Sequence, residues 1–286
     1  LTTKPGPTPA GRLTFFKMHG AGNDFVVIDG VRNAIALDEA AIRHLADRRR
    51  GVGCDQVLLM LPATEAEADF RYRIFNADGG EVEQCGNGVR CVARLLADLG
   101  HTDALRLRLQ SLGGIVDVEL LADGRVAVNM GAPRLEPAGI PFRAEQRATR
   151  YPLDVADRVI EIGALSMGNP HAVLETDNVA EAPVATLGPA IENHPRFPRR
   201  ANVGFLEITS PGDVSLRVHE RGVGETLACG TGACAAVVWG RLAGRLEETV
   251  TVHLPGGDLV ISWKGDGAPV WMTGPAVTVF EGRITL

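Results

Sequence analysis

Two segments of this chain are near copies of each other. EVEQCGNG at residues 81–88 and ETLACGTG at residues 225–232 align Glu81 with Glu225, Cys85 with Cys229, Gly86 with Gly230 and Gly88 with Gly232, at an offset of 144. Other blocks repeat in the same order. RIFNADG (73–79) matches RVHERGV (217–223) at 144, while GNDFVV (22–27) matches GNPHAV (168–173) and Gln56-Val57 matches Asn202-Val203 at 146. One such match would be coincidence between glycine turns. Four, in order and in register, mean two homologous halves, and an internal repeat decides the fold question before any single element does.

The length agrees with this reading. A chain of 286 residues suits two domains of the common size of about 100–150 residues. The net charge is −6 and no basic stripe is present, which excludes nucleic acid as a partner. No apolar run is long enough to span a bilayer. The opening LTTKPGPTPAGR has no apolar core, so it reads as a flexible tail over residues 1–12 and not as a signal peptide. The five cysteines, 54, 85, 91, 229 and 234, are an odd number and lack zinc-knuckle spacing. They read as reduced thiols of a cytoplasmic protein.

From Leu13 short strands and helices alternate, an α/β pattern. LTFFKMHG, DFVVIDG, VLLML and FRYRIFN read as strands. LDEAAIRHLADRR carries Ala41, Ile42 and Leu45 on one helical face, with Asp38 as N-cap. GVRCVARLLADLG is a helix stopped by Gly100. LRLRLQS, GIVDVELL and RVAVNMG are alternating strands. A Pro-rich stretch, GAPRLEPAGIPFRAEQRATRYP, reads as a domain crossing. Strand, turn and helix signals then resume through GACAAVVWGRLAG, and the chain ends in a strand meander.

Each Cys-Gly-x-Gly turn opens a helix, so its backbone N–H groups are available to an anion such as a carboxylate. The same helix end favours thiolate and is expected to lower the thiol pKa. Two thiols on opposite faces of one carbon can invert a stereocentre: one removes the α-proton, the other delivers a proton to the far side. A lone cysteine is by default a small buried hydrophobe, which is the reading of Cys54, Cys91 and Cys234.

KMHGAGNDFVVIDG, GVGCDQ, RIFNADGGEVEQCGNGVRC, MGNPHAVL, ANVGF and ERGVGETLACGTGACAA resemble the motif set of the diaminopimelate epimerase family, from about Leu13 to the end. Thr231 stands where serine is also used. The resemblance implies two pseudo-symmetric α/β (α+β) domains, each a mixed β-sheet rolled around a central helix, with the active site between them. It places the last strand in the first domain, giving residues 13–129 plus 275–286 and residues 130–274. It implies a pyridoxal-phosphate-independent epimerase that interconverts LL- and meso-diaminopimelate in bacterial lysine and cell-wall precursor synthesis. No metal or organic cofactor is required, and a homodimer is expected. Cys85 and Cys229 are the implied acid/base pair, assisted by His171 and Glu220. Gly86, Asn87, Gly230 and Thr231 would hold the reacting carboxylate by backbone N–H groups. Asn23, Gln56, Asn76, Asn169, Asn202, Glu220 and Arg221 are the implied substrate contacts.

The residues support part of this independently. Diaminopimelate has a second amino-acid head, and Arg221 beside Glu220 offers an anion binder and a cation binder. The halves differ where a substrate must be told end from end: Asn76 becomes Glu220, and Phe25 becomes His171. Glu81 and Glu225 read as loop fixers. His19, His44, His101, His194, His219 and His253 read as structural or surface residues. A proline or hydroxyproline racemase would also use two thiols but has no distal head to bind. A cysteine hydrolase with Cys85 and His171 leaves the repeat unexplained. A non-enzymatic amino-acid binder has no need of two thiols.

Overall fold

The computed structural model describes residues 12–33, 35–83, 85–155 and 158–286. Apart from Arg12, the expected tail lies outside the described residues. The chain divides into two compact units: one ends at Val128 and takes in Pro275–Leu286, and the other is Asn129–Gly274.

The first unit runs β1 (Arg12–Gly20), β2 (Asn23–Asp29), α1 (Glu39–Ala46), β3 (Gln56–Pro62), β4 (Phe70–Asn76), β5 (Glu81–Val82), α2 (Gly86–Asp98), β6 (Arg106–Ser111), β7 (Gly114–Leu120) and β8 (Val126–Asn129). The second runs β9 (Tyr151–Val155), β10 (Arg158–Ser166), β11 (Pro170–Glu175), α3 (Val184–Glu192), β12 (Asn202–Ser210), β13 (Asp213–Glu220), β14 (Gly224–Thr226), α4 (Gly230–Leu242), β15 (Thr249–Leu254), β16 (Gly257–Trp263) and β17 (Val270–Gly274). The last strand, β18 (Val277–Thr285), returns to the first unit and pairs antiparallel with β1.

The sheets repeat pair for pair. β2 lies parallel to β3 as β11 does to β12. β4 is antiparallel to β3 and parallel to β6, as β13 is to β12 and β15. Even the register is shared: Phe25 faces Gln56 where His171 faces Asn202. Strands joined both parallel and antiparallel make each sheet mixed.

Each sheet closes on its own buried helix. Helix α2 packs against β1, β2, β3, β6, β7 and β18, and α4 against β10, β11, β12, β13, β16 and β17. The α2 side chains Val89, Val92, Leu95 and Leu96 are all at most 1 % exposed, and burial of each stabilises by about 1.5–3 kcal/mol. The small residues Ala233, Ala235 and Ala236 let the sheet approach α4 closely. Both helices begin two residues before the apolar pattern does, at Gly86 and Gly230. Gly100, with φ +64°, follows α2 as its stop.

Candidate active site

Cys85 and Cys229 occupy the same structural position. Each is the N-cap residue of its unit's buried helix, has extended backbone, and leaves the helix without a side-chain cap. The first N–H groups of an α-helix have no carbonyl partner within the helix, so each thiol stands beside a cluster of donors. Gly88 and Gly232 make room there. A Cβ on Gly232 would meet Val218 at 3.0 Å and the Cys229 sulfur at 3.2 Å; one on Gly88 would meet Leu58 at 3.2 Å.

In the first unit, the Cys85 thiol donates to Asn23 Oδ1 at 3.7 Å, and Asn87 Nδ2 donates to the same oxygen at 3.4 Å. Asn23 Nδ2 donates to Asp55 Oδ2 at 2.9 Å. A carboxylate only accepts, so Asp55 obliges the Asn23 amide to turn its carbonyl to Cys85. Arg48 holds Asp55 in turn, at 2.8 Å, and bonds Asp24 as well. Burial raises the Asp24 carboxyl, but hydrogen bonds from Arg48 and Lys17 outweigh it and hold the group well below the usual carboxylate range. Gln56 Nε2 donates to Asn76 Oδ1 at 2.9 Å across the β3–β4 pair. Behind the site, the Arg73–Glu81 ion pair at 2.7 Å braces the strand that leads to Cys85.

In the second unit, Cys229 is 4 % exposed and lies 3.6 Å from Thr231 Oγ1. Asn169 Nδ2 donates to that hydroxyl at 3.3 Å, and Asn169 Oδ1 faces His171 Nε2 at 3.0 Å. This assigns the proton of neutral His171 to Nε2. His171 is buried, and burial, with the nearby Arg221 charge, pushes its pKa down to about 3. It is therefore a neutral hydrogen-bonding group. Asn202 Oδ1 accepts the Arg221 N–H at 2.8 Å. The Arg221 side chain is exposed and donates to Arg199 O at 2.9 Å. Arg217–Glu225 repeats the brace of the first unit at 2.6 Å.

The expected lowering of the thiol pKa is not what the structure gives at Cys229. Burial, and after it the Glu220 carboxylate, push this thiol well above its ordinary value; the Thr231 hydroxyl and the Gly232 N–H act the other way without winning. The helix end is outweighed chiefly by burial, with the Glu220 carboxylate adding to it. Cys229 is thus held as a thiol, with the Glu220 carboxylate nearby. Burial also raises Cys54, to about 11, and Cys91, to about 12. These and the fully buried Cys234 are packing residues, and no disulfide joins cysteines among the described residues.

Three residues at the site were not singled out by sequence: Asp55, Glu192 and Thr226. Glu192, at the end of α3, accepts from the Gly222 N–H at 2.9 Å, Arg200 at 3.1 Å and His219 Nε2 at 2.8 Å. It fixes the turn that presents Glu220 and Arg221. Asp55 adjoins Gln56 in the GVGCDQ block and has Ala201 at its repeat position, a readable asymmetry.

Solved structures share this architecture. A hydroxyproline epimerase from Agrobacterium vitis, with bound trans-4-OH-L-proline, superposes with a TM-score of 0.68 at 18% identity, covering 96% of this chain and 93% of that one. A Bacillus anthracis phenazine biosynthesis protein of the PhzF family also gives 0.68, at 16% identity, over 96% and 100%. The likeness defines the fold class: the epimerase and PhzF-like fold. The diaminopimelate epimerase family model matches residues 15–136 and 163–279. Diaminopimelate epimerase of Alkalilimnicola ehrlichii is 62% identical over 277 residues, 96% of this chain and 99% of its own. That of Thioalkalivibrio sulfidiphilus is 60% identical over 277 residues, covering 96% and 100%. The chain belongs to the diaminopimelate epimerase family.

Proposed function

We propose that this enzyme interconverts LL- and meso-diaminopimelate with Cys85 and Cys229 as its acid/base pair. The observation that carries this reading is the equivalent placement of the two cysteines as N-cap residues of the two buried helices, Cys85 bonded to Asn23 and Cys229 near enough to Glu220 to feel its charge. One sulfur, as thiolate, removes the α-proton from one face of the substrate. The other, as thiol, gives a proton to the opposite face, and reversal exchanges the roles. At Cys229 the S–H proton passes to Glu220, and the thiolate so formed can act as base. Negative charge that builds at the α-carbon spreads onto the carboxylate, where the backbone N–H groups of Gly86, Asn87, Gly230 and Thr231 stabilise it.

Glu220 lies at Cys229, which ties it to the reacting end. Arg221 supplies the cation for the distal carboxylate, and Asn23, Gln56, Asn76, Asn169 and Asn202 supply neutral donors and acceptors around the two heads. His171, neutral and buried, orders Asn169 and through it Thr231. The chemistry needs no metal or organic cofactor.

We also read the chain as a cytoplasmic homodimer. No described helix is long and apolar enough to cross a membrane. The exposed apolar residues Val277, Val279 and Phe280 of β18 suit a subunit contact, which sedimentation would test.

The test of function is proton NMR of LL-diaminopimelate in D2O with reductant and no added pyridoxal phosphate. Loss of the α-proton signal as the meso isomer forms is the expected result. Exchange with proline or 4-hydroxyproline instead would move the substrate, and no exchange with any amino acid would remove the epimerase reading.

A further inference from the structure

The geometry points to Thr226 as a positioning residue for catalysis: its hydroxyl fixes the Glu220 carboxylate against the Cys229 thiol. The inference rests on the two-thiol reading above.

Thr226 Oγ1 donates to Glu220 Oε1 at 2.5 Å, the short range of a charge-assisted O–H···O bond. The strand pairing explains how they meet. In the β13–β14 ladder Val218 faces Thr226 and Glu220 faces Gly224, so Thr226 and Glu220 are diagonal neighbours on one face. Gly224, opposite Glu220, has no side chain to intrude and adopts φ +102°. Glu220 is in turn near enough to Cys229 for its charge to act on the thiol, second to burial. A hydroxyl, a carboxylate and a thiol therefore stand in series, running from strand to helix mouth.

The first half lacks this device in both its parts at once. The repeat places Asn76 opposite Glu220 and Val82 opposite Thr226. Ile74 faces Val82 in the corresponding ladder, so the diagonal geometry is retained while the chemistry is gone. Asn76 instead accepts from Gln56. The hydroxyl is present where the carboxylate is present, and valine stands where an amide does.

A carboxylate held at one oxygen by a donor keeps its plane, and a proton acceptor that is already aimed needs no reorganisation during transfer. Without the hydroxyl, Glu220 could rotate about its side-chain torsions, and transfer from the Cys229 sulfur would wait on that rotation.

The test is steady-state epimerisation by Thr226→Val, which keeps the shape and loses the donor, and by Thr226→Ser, which keeps the donor. Thr226→Val is expected to lower kcat about tenfold or more with KM within about twofold, and Thr226→Ser to recover most of it. In a Glu220→Gln background Thr226→Val should add little, since two residues acting as a unit are not additive. Wild-type kcat in Thr226→Val, equal damage in both Thr226 variants, or penalties that multiply with Glu220→Gln would each overturn the inference. Cys229→Ala separates the two claims. Full activity in Cys229→Ala refutes the two-thiol reading itself, whereas an inactive Cys229→Ala beside an unimpaired Thr226→Val refutes only the role of Thr226.

Discussion

The two helix mouths are built on one plan and wired differently. At the first, an asparagine carbonyl faces Cys85, turned that way by Asp55. At the second, the equivalent Asn169 turns its amide nitrogen to Thr231, because His171 takes its carbonyl. The first mouth offers its thiol an uncharged acceptor and keeps its carboxylate one step behind. The second sets the carboxylate of Glu220 near enough for its charge to act on the thiol. On the reading proposed above, the shared part of the plan, a cysteine at a helix end, serves both faces of the α-carbon. On the same reading, the unshared part distinguishes the ends of the substrate and places a carboxylate near one thiol.

Removing either cysteine should erase the difference between the mouths, since inversion needs both. Cys85→Ala and Cys229→Ala are each expected to lower kcat by about 10²–10⁴-fold, read by NMR in D2O. Activity retained in one variant alone would mean that a single thiol serves both faces. Next in size are the residues that differ. Glu220→Gln should cut kcat on the order of 10²-fold, while Asn76→Ala at the repeat position should act mainly on KM. Equal effects on both parameters at both positions would break the contrast drawn here.

His171 gives a difference in stability with pH. It stays neutral in the folded chain down to about pH 3, whereas an unfolded histidine titrates near about 6.5. The unfolded chain therefore binds the extra proton first. Stability present above pH 6.5 is lost as pH falls towards 3, at about 1.4 kcal/mol per unit. Urea unfolding at pH 7.5 and pH 5.0 should show wild type losing about 2 kcal/mol more than His171→Phe, which installs the first half's residue. Parallel losses would mean that the ring is protonated in the folded state.

The glycines sharpen the comparison further. Gly88→Ala and Gly232→Ala should each cost about 1–3 kcal/mol by overpacking. Only Gly232→Ala should also lower kcat, because its new methyl would press on the Cys229 sulfur. Smallest is the capping of the outer helices. Asp38 accepts the Ala41 N–H at 2.8 Å and caps α1, whereas Pro183 stands at the start of α3 with no side-chain cap. Asp38→Ala should cost about 1 kcal/mol by thermal or chemical unfolding.

The same contrast marks what could be read from the chain in advance. Strongly patterned elements were legible: α1 with its cap, β4 at Phe70–Asn76, and both central helices to within two residues. Helix α3 was not, because Gly188 and Pro189 interrupt its pattern. Gly188 is there for a packing reason: a Cβ would meet the His219 side chain at 2.7 Å. At the site, the repeat exposed the thiols and the glycine turns, since identical residues recur. Asp55, Glu192 and Thr226 could not be seen that way. They belong to the differences between the halves and act through partners that lie 31, 27 or 6 residues distant, on neighbouring strands and turns. The depressed thiol pKa expected from the helix end failed at Cys229 for a related reason: burial and a neighbouring carboxylate depend on three-dimensional proximity.

Strand β18 has a consequence for how the chain is made. It pairs with β1 over most of its length, and Phe15 packs edge-on against Phe280 at 5.9 Å and over Gly282. Yet a ribosome reaches β18 only after the whole of Asn129–Gly274 has been translated, a delay on the order of ten seconds. Through that interval β1 has an open edge, able to pair with whatever strand reaches it first. The unit that begins synthesis first is completed last, and the second unit can finish folding while the first still waits for its final strand.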